Sequence, residues 1–499
     1  MTACPLSPSV AVVGGGLSGL AAGAALAAVG FRVTLLERRP YLGGRASSYE
    51  HPGTGEVVDN CQHVLLGCCT NLTDFYRRIG AAELVRWYDR LTFLEPGGRR
   101  TVIGGSWLPA PLHALPSFLT AAALSWRDKL AIARALVALM RRLPVDEGRP
   151  FSDWLAAHGQ TRGAVKRFWE IVLVSSLNEE LDRASTPAAA MVIRESFLKS
   201  AQGGRMGVPR VPLTELYSRA GDYIREHAGT VELRAAVEAF KPVEEWTGGE
   251  PDLPGGDELV PGQGMGGSGL IASRAGVRLD VSGKPRMFDY AVLAVPFDAL
   301  ERLLPADMPV AKNGDLRAAL GRFETSPITG VHLWFDRQIT DLDHAVLLDR
   351  TIQWMFQKSR ILDERSAQTN QGSYLELVIS ASNSLVRKSR QEIIDLAVQE
   401  LADFFPAVKD ARLLKAAVIK EVHATFSPQP GSDAYRPRSA TPWSRVFLAG
   451  DWTATGWPAT MEGAVRSGYL AAEALCRAAG REARFLVPDL APSGFMRFV

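Results

Sequence analysis

Three glycines near the N-terminus have the spacing of a dinucleotide-binding turn. Gly14, Gly16 and Gly19 form a G-x-G-x-x-G motif between a short β-branched run and a stretch rich in alanine and leucine. In such a turn the first glycine permits the tight bend, the second lets the backbone approach a pyrophosphate, and the third allows close packing of helix on strand. The predicted helix starts at Leu17 and Ser18, and its N-terminus favours anionic phosphates.

A carboxylate stands where the same unit needs one. Glu37 ends the next predicted strand, 18 residues after Gly19, and Arg38 follows it. Its oxygens can accept hydrogen bonds from a ribose diol. A second glycine match at residues 262–269 has no strand before it and no amphipathic helix after it, so it is interpreted as loop composition. The sequence therefore predicts one dinucleotide site; the competing interpretation is a packing cluster of glycines with a surface glutamate.

A second pair of glycines distinguishes a flavin from a nicotinamide dinucleotide. Gly43, Gly44 and Arg45 follow Glu37 after a spacer of five residues. This arrangement places two flexible residues and a cation beside the same pyrophosphate, and the guanidinium can neutralise phosphate or face the flavin edge. Alone, the pattern would fit a turn with an exposed arginine. Coupled to the first motif, it indicates FAD.

A third motif lies near the other end of the chain. Residues 448–468 read LAGDWTATGWPATMEGAVRSG, which is typical of a buried strand, a turn and a helix. The carboxylate after the strand can bind ribityl or ribose hydroxyl groups, and the helix N-terminus can stabilise negative charge on reduced flavin. The alternative is an ordinary strand-turn-helix. The predicted cofactor contacts here are Gly450, Asp451, Met461, Glu462 and Ala464, joined by Val237 from a strand over 231–240.

Strands and helices alternate along the chain that must position these motifs. Strands are predicted at 9–13, 31–36, 231–240, 277–281, 287–295, 328–335, 374–380, 416–422 and 446–449. Helices are predicted at 17–29, 130–143, 151–182, 214–227, 391–405 and 462–478. Residues 246–276 hold many glycines and few large apolar residues, so a flexible insertion within a β-hairpin is expected there.

Composition excludes several classes of protein. The chain has 499 residues, of which 46% are hydrophobic and 22% charged, so a globular protein with a large core is expected. A net charge of +2 predicts no nucleic-acid partner. The five cysteines contain no C-x-x-C pair, which argues against a disulfide framework or a structural zinc site. No stretch has the roughly 20 uncharged apolar residues of a spanning helix.

The three cofactor motifs together resemble those of the flavin amine oxidase and phytoene desaturase superfamily. A narrower resemblance comes from residues 59–80, DNCQHVLLGCCTNLTDFYRRIG, and from residues 455–468. Both segments look like those of the squalene-associated FAD-dependent desaturases, the hydroxysqualene dehydroxylases of hopanoid biosynthesis. Cys61 stands where that family usually has a glycine.

The resemblance implies an α/β fold of the p-hydroxybenzoate-hydroxylase-like two-domain type. It combines a discontinuous Rossmann-like FAD-binding domain with a mixed α+β substrate domain. The predicted boundaries are 1–85, 205–295 and 415–480 for the FAD-binding domain, 86–204 and 296–414 for the substrate domain, and 481–499 for a C-terminal tail. The implied reaction is reductive removal of the hydroxyl group of hydroxysqualene, with hydride from reduced flavin. The alternatives are a carotenoid desaturase, an amine oxidase, or a prenyl-lipid carrier without enzymatic activity.

Two residues of the 59–80 segment are candidates for proton transfer. Asp59 or His63 could protonate a leaving hydroxyl group; the competing interpretation is that each only hydrogen-bonds the loop backbone. The expected partners are an apolar isoprenoid and an electron donor of unknown identity. We expect a cytoplasmic protein that binds the inner face of the cytoplasmic membrane through residues 106–143, which are apolar with flanking basic residues. A buried helical hairpin is the alternative for that segment.

Overall fold

The computed structural model describes residues 7–246, 274–305, 315–363 and 372–498. Most of the predicted insertion over 246–276 lies outside these residues. The two strands that flank it, Val237–Trp246 and Arg274–Val281, pair antiparallel. The flanking strands therefore form a β-hairpin, and the flexible insertion between them stays a prediction.

A five-stranded parallel sheet carries the first glycine motif. Its strands, in spatial order, are Thr230–Leu233, Arg32–Glu37, Ser9–Val13, Tyr290–Leu293 and Val446–Leu448. Ser9–Val13, Tyr290–Leu293 and Val446–Leu448 are short, almost wholly apolar and buried because both faces of the sheet are covered there, whereas the edge strand Thr230–Leu233 is partly exposed. Their carboxyl ends share one edge, so the turn after each strand faces the same side of the molecule.

Helices cover one face of this sheet. They are Leu17–Ala28, Leu213–Glu226 and Met461–Ala478. The first and last of these pack very closely: a Cβ atom added to Gly468 would lie 2.3 Å from the carbonyl oxygen of Ser18. This close packing aligns the two glycine- and alanine-rich helices, so that the motifs from opposite ends of the sequence meet.

An antiparallel three-stranded sheet covers the opposite face. It contains Val237–Trp246, Arg274–Val281 and Lys284–Phe288. The sequence predicted one strand over 231–240, which is wrong. The chain turns at Arg234, where φ is +56°, so Thr230–Leu233 joins the parallel sheet and the next strand begins the antiparallel one.

The second large sheet has seven strands. Their order is Leu413–Phe426, Thr325–Phe335, Ser373–Ser380, Trp354–Gln357, His344–Leu347, Arg90–Leu94 and Arg100–Gly104. Helix Arg390–Phe404 packs on one face, and the other face turns toward the parallel sheet. The predicted boundary at 415 is corrected by this sheet, because Leu413–Phe426 pairs with Thr325–Phe335 along most of its length and so belongs with the substrate domain.

A group of helices packs on the face of the seven-stranded sheet opposite helix Arg390–Phe404, where Trp354 Nε1 donates to Ser175 Oγ (2.9 Å). These helices are Leu115–Thr120, Trp126–Arg141, Phe151–Ala157, Arg162–Ala164, Val165–Trp169, Glu170–Leu177, Thr186–Ile193 and Arg194–Leu198. Val165–Trp169 and Arg194–Leu198 are single turns of π-helix within longer helices. None of the helices in the described ranges is both long and apolar enough to cross a bilayer.

Smaller elements join these layers. The strands are Ser48–His51 with Glu56–Asp59, and Leu65–Leu66 with Met206–Pro209 and Val85–Tyr88. The helices are Thr70–Arg78, Phe297–Leu303, Leu316–Leu320 and Lys358–Ile361. The 3₁₀ turns are Ala82–Leu84, Leu112–Ala114, Asn383–Leu385, Pro406–Asp410, Ser432–Tyr435 and Gly494–Phe498. The last turn docks on the helical group, where the Phe495 N–H donates to the Ala110 carbonyl (2.8 Å).

Candidate functional site

One continuous cavity of about 970 Å³ runs between the parallel sheet and the seven-stranded sheet. Its nucleotide end is formed by the turns after the parallel strands, including Gly14, Glu37 and Asp451. Its substrate end lies among the seven-stranded sheet and the helical group, and includes Phe168 and Trp354. All sixteen predicted cofactor residues except Gly19 line this cavity, so the structure brings the three sequence motifs together.

The first glycine turn leaves room for a ligand in front of a helix. Gly14 has φ of +108°, and a Cβ atom there would lie 2.4 Å from the Ala294 carbonyl oxygen. Gly19 lies behind the turn, where a Cβ atom would be 1.9 Å from the Gly14 oxygen, which is the predicted packing role. Gly16 begins helix Leu17–Ala28 with no side-chain cap, so no side chain fills the space before its first N–H groups.

Glu37 is held in a fixed orientation at the edge of this space. Its carboxylate accepts hydrogen bonds from the N–H groups of Gly15 (2.6 Å) and Arg39 (2.7 Å). The second glycine pair lies directly against the first turn: the Gly43 N–H donates to the Gly15 carbonyl (2.9 Å). A side chain at Gly44 would start 2.9 Å from the Cα atom of Gly16. The two turns therefore form one cradle of backbone.

Arg45 and Asp451 join the second and third motifs. The guanidinium lies 2.6 Å from Asp451 Oδ1 and also donates to the Ala424 carbonyl (3.0 Å). Both residues line the cavity, so their ion pair forms part of its wall between the two ends. This position fits a ligand that carries phosphate and hydroxyl groups side by side.

Helix Met461–Ala478 points its N-terminus at the cavity. Thr460 caps it by accepting a hydrogen bond from the Gly463 N–H (3.1 Å), and Met461 and Ala464 line the wall. The Glu462 carboxylate is already engaged, because it accepts the N–H groups of Asn71 (3.1 Å) and Leu72 (2.8 Å). Glu462 therefore links helix Met461–Ala478 to helix Thr70–Arg78 and lines the cavity without offering a free carboxylate to it.

The backbone cradle, the oriented carboxylate and the uncapped helix start fit the pyrophosphate and ribose of FAD. Several further lining residues were missed by sequence reasoning, namely Ala235, Ala236, Ala294, Val295, Pro296 and Ala459. Most of them follow directly after strands of the parallel sheet. The rule that ligands bind at the carboxyl ends of such strands could have found these.

His63 reaches the cavity and Asp59 does not. His63 Nδ1 lies 2.7 Å from the Cys61 carbonyl oxygen, so Nδ1 carries the hydrogen and donates it. Burial lowers the pKa of His63, which keeps the ring neutral at neutral pH and leaves Nε2 as an acceptor. Asp59 is buried and accepts hydrogen bonds from Ser48 Oγ (2.6 Å) and Lys358 Nζ (2.7 Å). Both residues stay predictions as proton-transfer groups.

Lys358 and Glu376 were missed by sequence reasoning. Burial alone would raise the pKa of Asp59, but the ammonium of Lys358 and the hydrogen bonds of the site outweigh it and lower that pKa. Glu376 lies in the centre of strand Ser373–Ser380 with its side chain fully buried, and its Oε2 is 3.3 Å from Lys358 Nζ. A charged residue inside an otherwise apolar strand was the signal that could have found it.

Comparisons with known proteins agree with this geometry. Residues 12–79 match the profile of an NAD(P)-binding Rossmann-like domain, and residues 269–476 match that of the flavin containing amine oxidoreductases. The chain is 27% identical to the probable zeta-carotene desaturase of Synechococcus elongatus over 94% of this chain and 98% of that protein. It is 25% identical to the 15-cis-phytoene desaturase of Solanum lycopersicum over 94% of this chain and 78% of that protein.

Solved structures share the fold at low sequence identity. An oxidoreductase from Methanosarcina mazei superposes with a TM-score of 0.68 and 15% identity, covering 92% of this chain and 98% of that chain. Putrescine oxidase bound to putrescine gives 0.65 and 16%, covering 95% and 99%. The α/β fold, the backbone cradle and these matches identify the chain as an FAD-dependent oxidoreductase, and along nearly its whole length it is similar to proteins of the flavin amine oxidase and phytoene desaturase superfamily.

Proposed function

We propose that this enzyme oxidises a long, acyclic isoprenoid, introducing a carbon–carbon double bond as a carotenoid-type desaturase does. The observation that carries the proposal is the apolar substrate end of the cavity. Its wall is built from aliphatic and aromatic side chains of the seven-stranded sheet and the helical group, including Leu91, Phe93, Phe168, Ile171, Trp354 and Phe356. Such a wall binds a hydrocarbon by burial of its surface, and offers few polar groups to anything else.

Charge at the substrate end argues against an amine as substrate. Among the described residues that line this end, the full charges belong to Arg167 and Glu195. Arg167 pairs with Glu95 (3.0 Å), and Glu195 pairs with Lys199 (2.8 Å). Both charges are thus already compensated, so an ammonium substrate would find no unpaired carboxylate in this part of the wall.

The state of His63 suits a reaction that releases a proton. When bound, FAD supplies the acceptor or donor of a hydride. Desaturation removes one hydride and one proton from the substrate, and a neutral His63 with a free Nε2 can accept that proton. In this tautomer His63 has no hydrogen to donate from Nε2. The names of the two desaturase relatives support the same direction.

Reductive dehydroxylation of hydroxysqualene is the second candidate. The observation in its favour is the resemblance of residues 59–80 to the hydroxysqualene dehydroxylases. Cys61, Gln62 and His63 of that segment line the cavity beside the ion pair of Arg45 and Asp451. This reaction requires a proton donor for the leaving hydroxyl group, so it would need a protonated His63 or a donor from elsewhere.

Two anaerobic experiments decide between the candidates. Oxidised holoenzyme is mixed with phytoene or zeta-carotene, and reduced holoenzyme is mixed with hydroxysqualene; flavin absorbance and extracted products are followed. Desaturation predicts bleaching of the flavin with a longer conjugated polyene in the first experiment only. Reoxidation of the flavin with formation of squalene in the second experiment only would replace our proposal by dehydroxylation. Putrescine serves as a control, and bleaching by it would contradict both.

We also propose that the face carrying residues 106–143 contacts a membrane, from which an apolar substrate enters. Trp107 is 90% exposed and Trp126 is 70% exposed, and Leu130 is exposed on the same helix as the second tryptophan. The same helix also lines the cavity through Leu136 and Met140. Aromatic side chains at the surface beside a wall of the substrate cavity are suited to a lipid interface.

A further inference from the structure

A buried group of ionisable side chains lies behind the cavity-lining residues Cys61, Gln62 and His63. Lys358 Nζ is 2.7 Å from Asp59 Oδ2 and 2.7 Å from Gln62 Oε1. Its third neighbour is the Oε2 atom of Glu376, at 3.3 Å. All of these partners are buried, and Gln62 also lines the cavity. The group therefore reaches from the interior of the seven-stranded sheet to the wall of the cavity.

The charges of this group do not balance if every member is ionised, because two carboxyl groups face one ammonium group. The other described titratable side chains facing Glu376 are His332 on the neighbouring strand, Tyr374 on its own strand and Cys61. Burial lowers the pKa of His332 to about 3 and raises the pKa of Tyr374 and of Cys61. All three are neutral at neutral pH, so full ionisation would leave one uncompensated buried negative charge, which is strongly unfavourable.

The hydrogen bonds identify which carboxyl group keeps a proton. Asp59 accepts from Ser48 Oγ (2.6 Å) and from the Leu213 N–H (3.1 Å) in addition to Lys358. Glu376 is less well compensated, because its contact with Lys358 Nζ is longer (3.3 Å) and neither of its oxygens makes a hydrogen bond of good geometry among the described residues. Burial raises the pKa of Glu376 to about 8, although Lys358 opposes this. A proton on Glu376 removes the excess charge at the position with the least compensation.

We propose that Glu376 carries a proton at neutral pH, and that this proton fixes the charge and the hydrogen bonds behind the part of the cavity wall formed by Cys61, Gln62 and His63. While Glu376 is protonated, Lys358 is held by Asp59 and Gln62, and the buried group as a whole carries no net charge. When Glu376 loses its proton to solvent, a negative charge appears there and competes with Gln62 for the ammonium. Glu376 is thus a positioning residue that acts through Lys358 on the redox step. This inference rests on the FAD site and does not depend on the isoprenoid.

The test uses holoenzyme without substrate, so its failure is distinguishable from failure of the proposed desaturation. The midpoint potential of bound FAD is measured as a function of pH from well below to well above 8, for wild type and for Glu376→Gln, which imitates the protonated acid. We expect the wild-type potential to fall with an added slope above about pH 8, because a buried negative charge disfavours electron uptake. The variant should lack that added slope.

Replacement of a second buried glutamate serves as the control, and infrared spectroscopy provides a second measurement. Glu400 is also a buried carboxylate, but it accepts the N–H groups of Thr351 and Ile352 away from the cavity, so Glu400→Gln should keep the wild-type profile. Infrared difference spectra of wild type should show a protonated-carboxyl C=O band that disappears above about pH 8 and is missing in Glu376→Gln. Identical pH profiles of wild type and Glu376→Gln, or the absence of that band, would overturn the proposal.

Discussion

At the nucleotide end of the cavity, the wall is mostly backbone, whereas at the substrate end it is mostly side chain. The first is made by turns after parallel strands, where a Cβ atom on Gly14, Gly43 or Gly44 would clash with neighbouring backbone. The second is made by residues from strands and helices scattered over more than 280 positions, from Leu91 to Val378. A backbone wall depends on a few positions that tolerate no change. In a wall of side chains, the packing energy is distributed over many contacts. Single substitutions there should therefore change how a substrate fits the cavity before they change the stability of the fold.

The largest effect is expected at Gly19. Gly19→Val would drive its Cβ atom into the Gly14 carbonyl oxygen, 1.9 Å away, so the turn cannot form. We expect colourless or insoluble protein, measured as flavin absorbance per mole of chain. Gly321→Ala is the control, since its nearest neighbour atom is 3.6 Å away and its backbone is α-helical. Yellow, soluble Gly19→Val protein would break the contrast between the two walls.

The next largest effect is expected from breaking the buried ion pair of Lys358 and Asp59. Lys358→Met leaves the Asp59 carboxylate buried without its cation, which costs about 3–5 kcal/mol of unfolding free energy. Urea denaturation measures the loss. The double variant Asp59→Asn with Lys358→Met should recover part of it, because both charges are then absent. No recovery would mean that the stem of the lysine, rather than its charge, supports the wall.

The unfolding free energy should depend on pH through the buried Glu376 carboxyl group. Burial raises the pKa of Glu376 to about 8 from an ordinary value of 4.5, so the folded state binds a proton that the unfolded state has lost. The unfolding free energy should therefore fall by about 1.4 kcal/mol per pH unit between these two values. Subtracting the denaturation profile of Glu376→Gln from that of wild type isolates this slope. A difference that rises with pH would contradict the assignment.

A smaller loss is expected from the carboxylate of the nucleotide end. Glu37→Ala removes the charged acceptor for the ribose and frees the N–H groups of Gly15 and Arg39. We expect FAD binding to weaken by about 1–3 kcal/mol, measured by titration of deflavinated protein. Unchanged affinity would show that the glycine cradle alone holds the dinucleotide, which would sharpen the contrast between the two walls.

The smallest effect on the folded protein is expected from its exposed tryptophans. Trp107→Ser combined with Trp126→Ser should reduce recovery with liposomes in flotation, while flavin content and unfolding free energy stay unchanged, because both side chains are largely exposed. Phe118→Ser is the comparison, since Phe118 lines the cavity and packs against the helical group. Equal flotation of wild type and the double variant would remove this face from the route of the substrate.

The contrast between the walls also explains how much the sequence could predict. Glycine spacing, a strand-terminal acid and helix starts are local patterns; with Val237, fifteen of the sixteen residues predicted to contact the cofactor line the cavity. Lys358 and Glu376 lie about 300 residues after Asp59, so only tertiary packing brings them together. The strand predicted at 416–422 was found, but its sheet was not, because strand pairing depends on partners that local periodicity does not identify.

The two π-helical turns at Val165–Trp169 and Arg194–Leu198 give the substrate end a means of variation that the nucleotide end lacks. Both turns contribute side chains to the cavity, among them Phe168 and Phe197. A π turn holds one more residue than an α-helical turn in the same helix. Deleting one residue there would restore α-helical bonding and change which side chains of that turn face the cavity, while the helix on either side keeps its phase. Single-residue deletions at these turns could therefore remodel the pocket while both sheets keep their register.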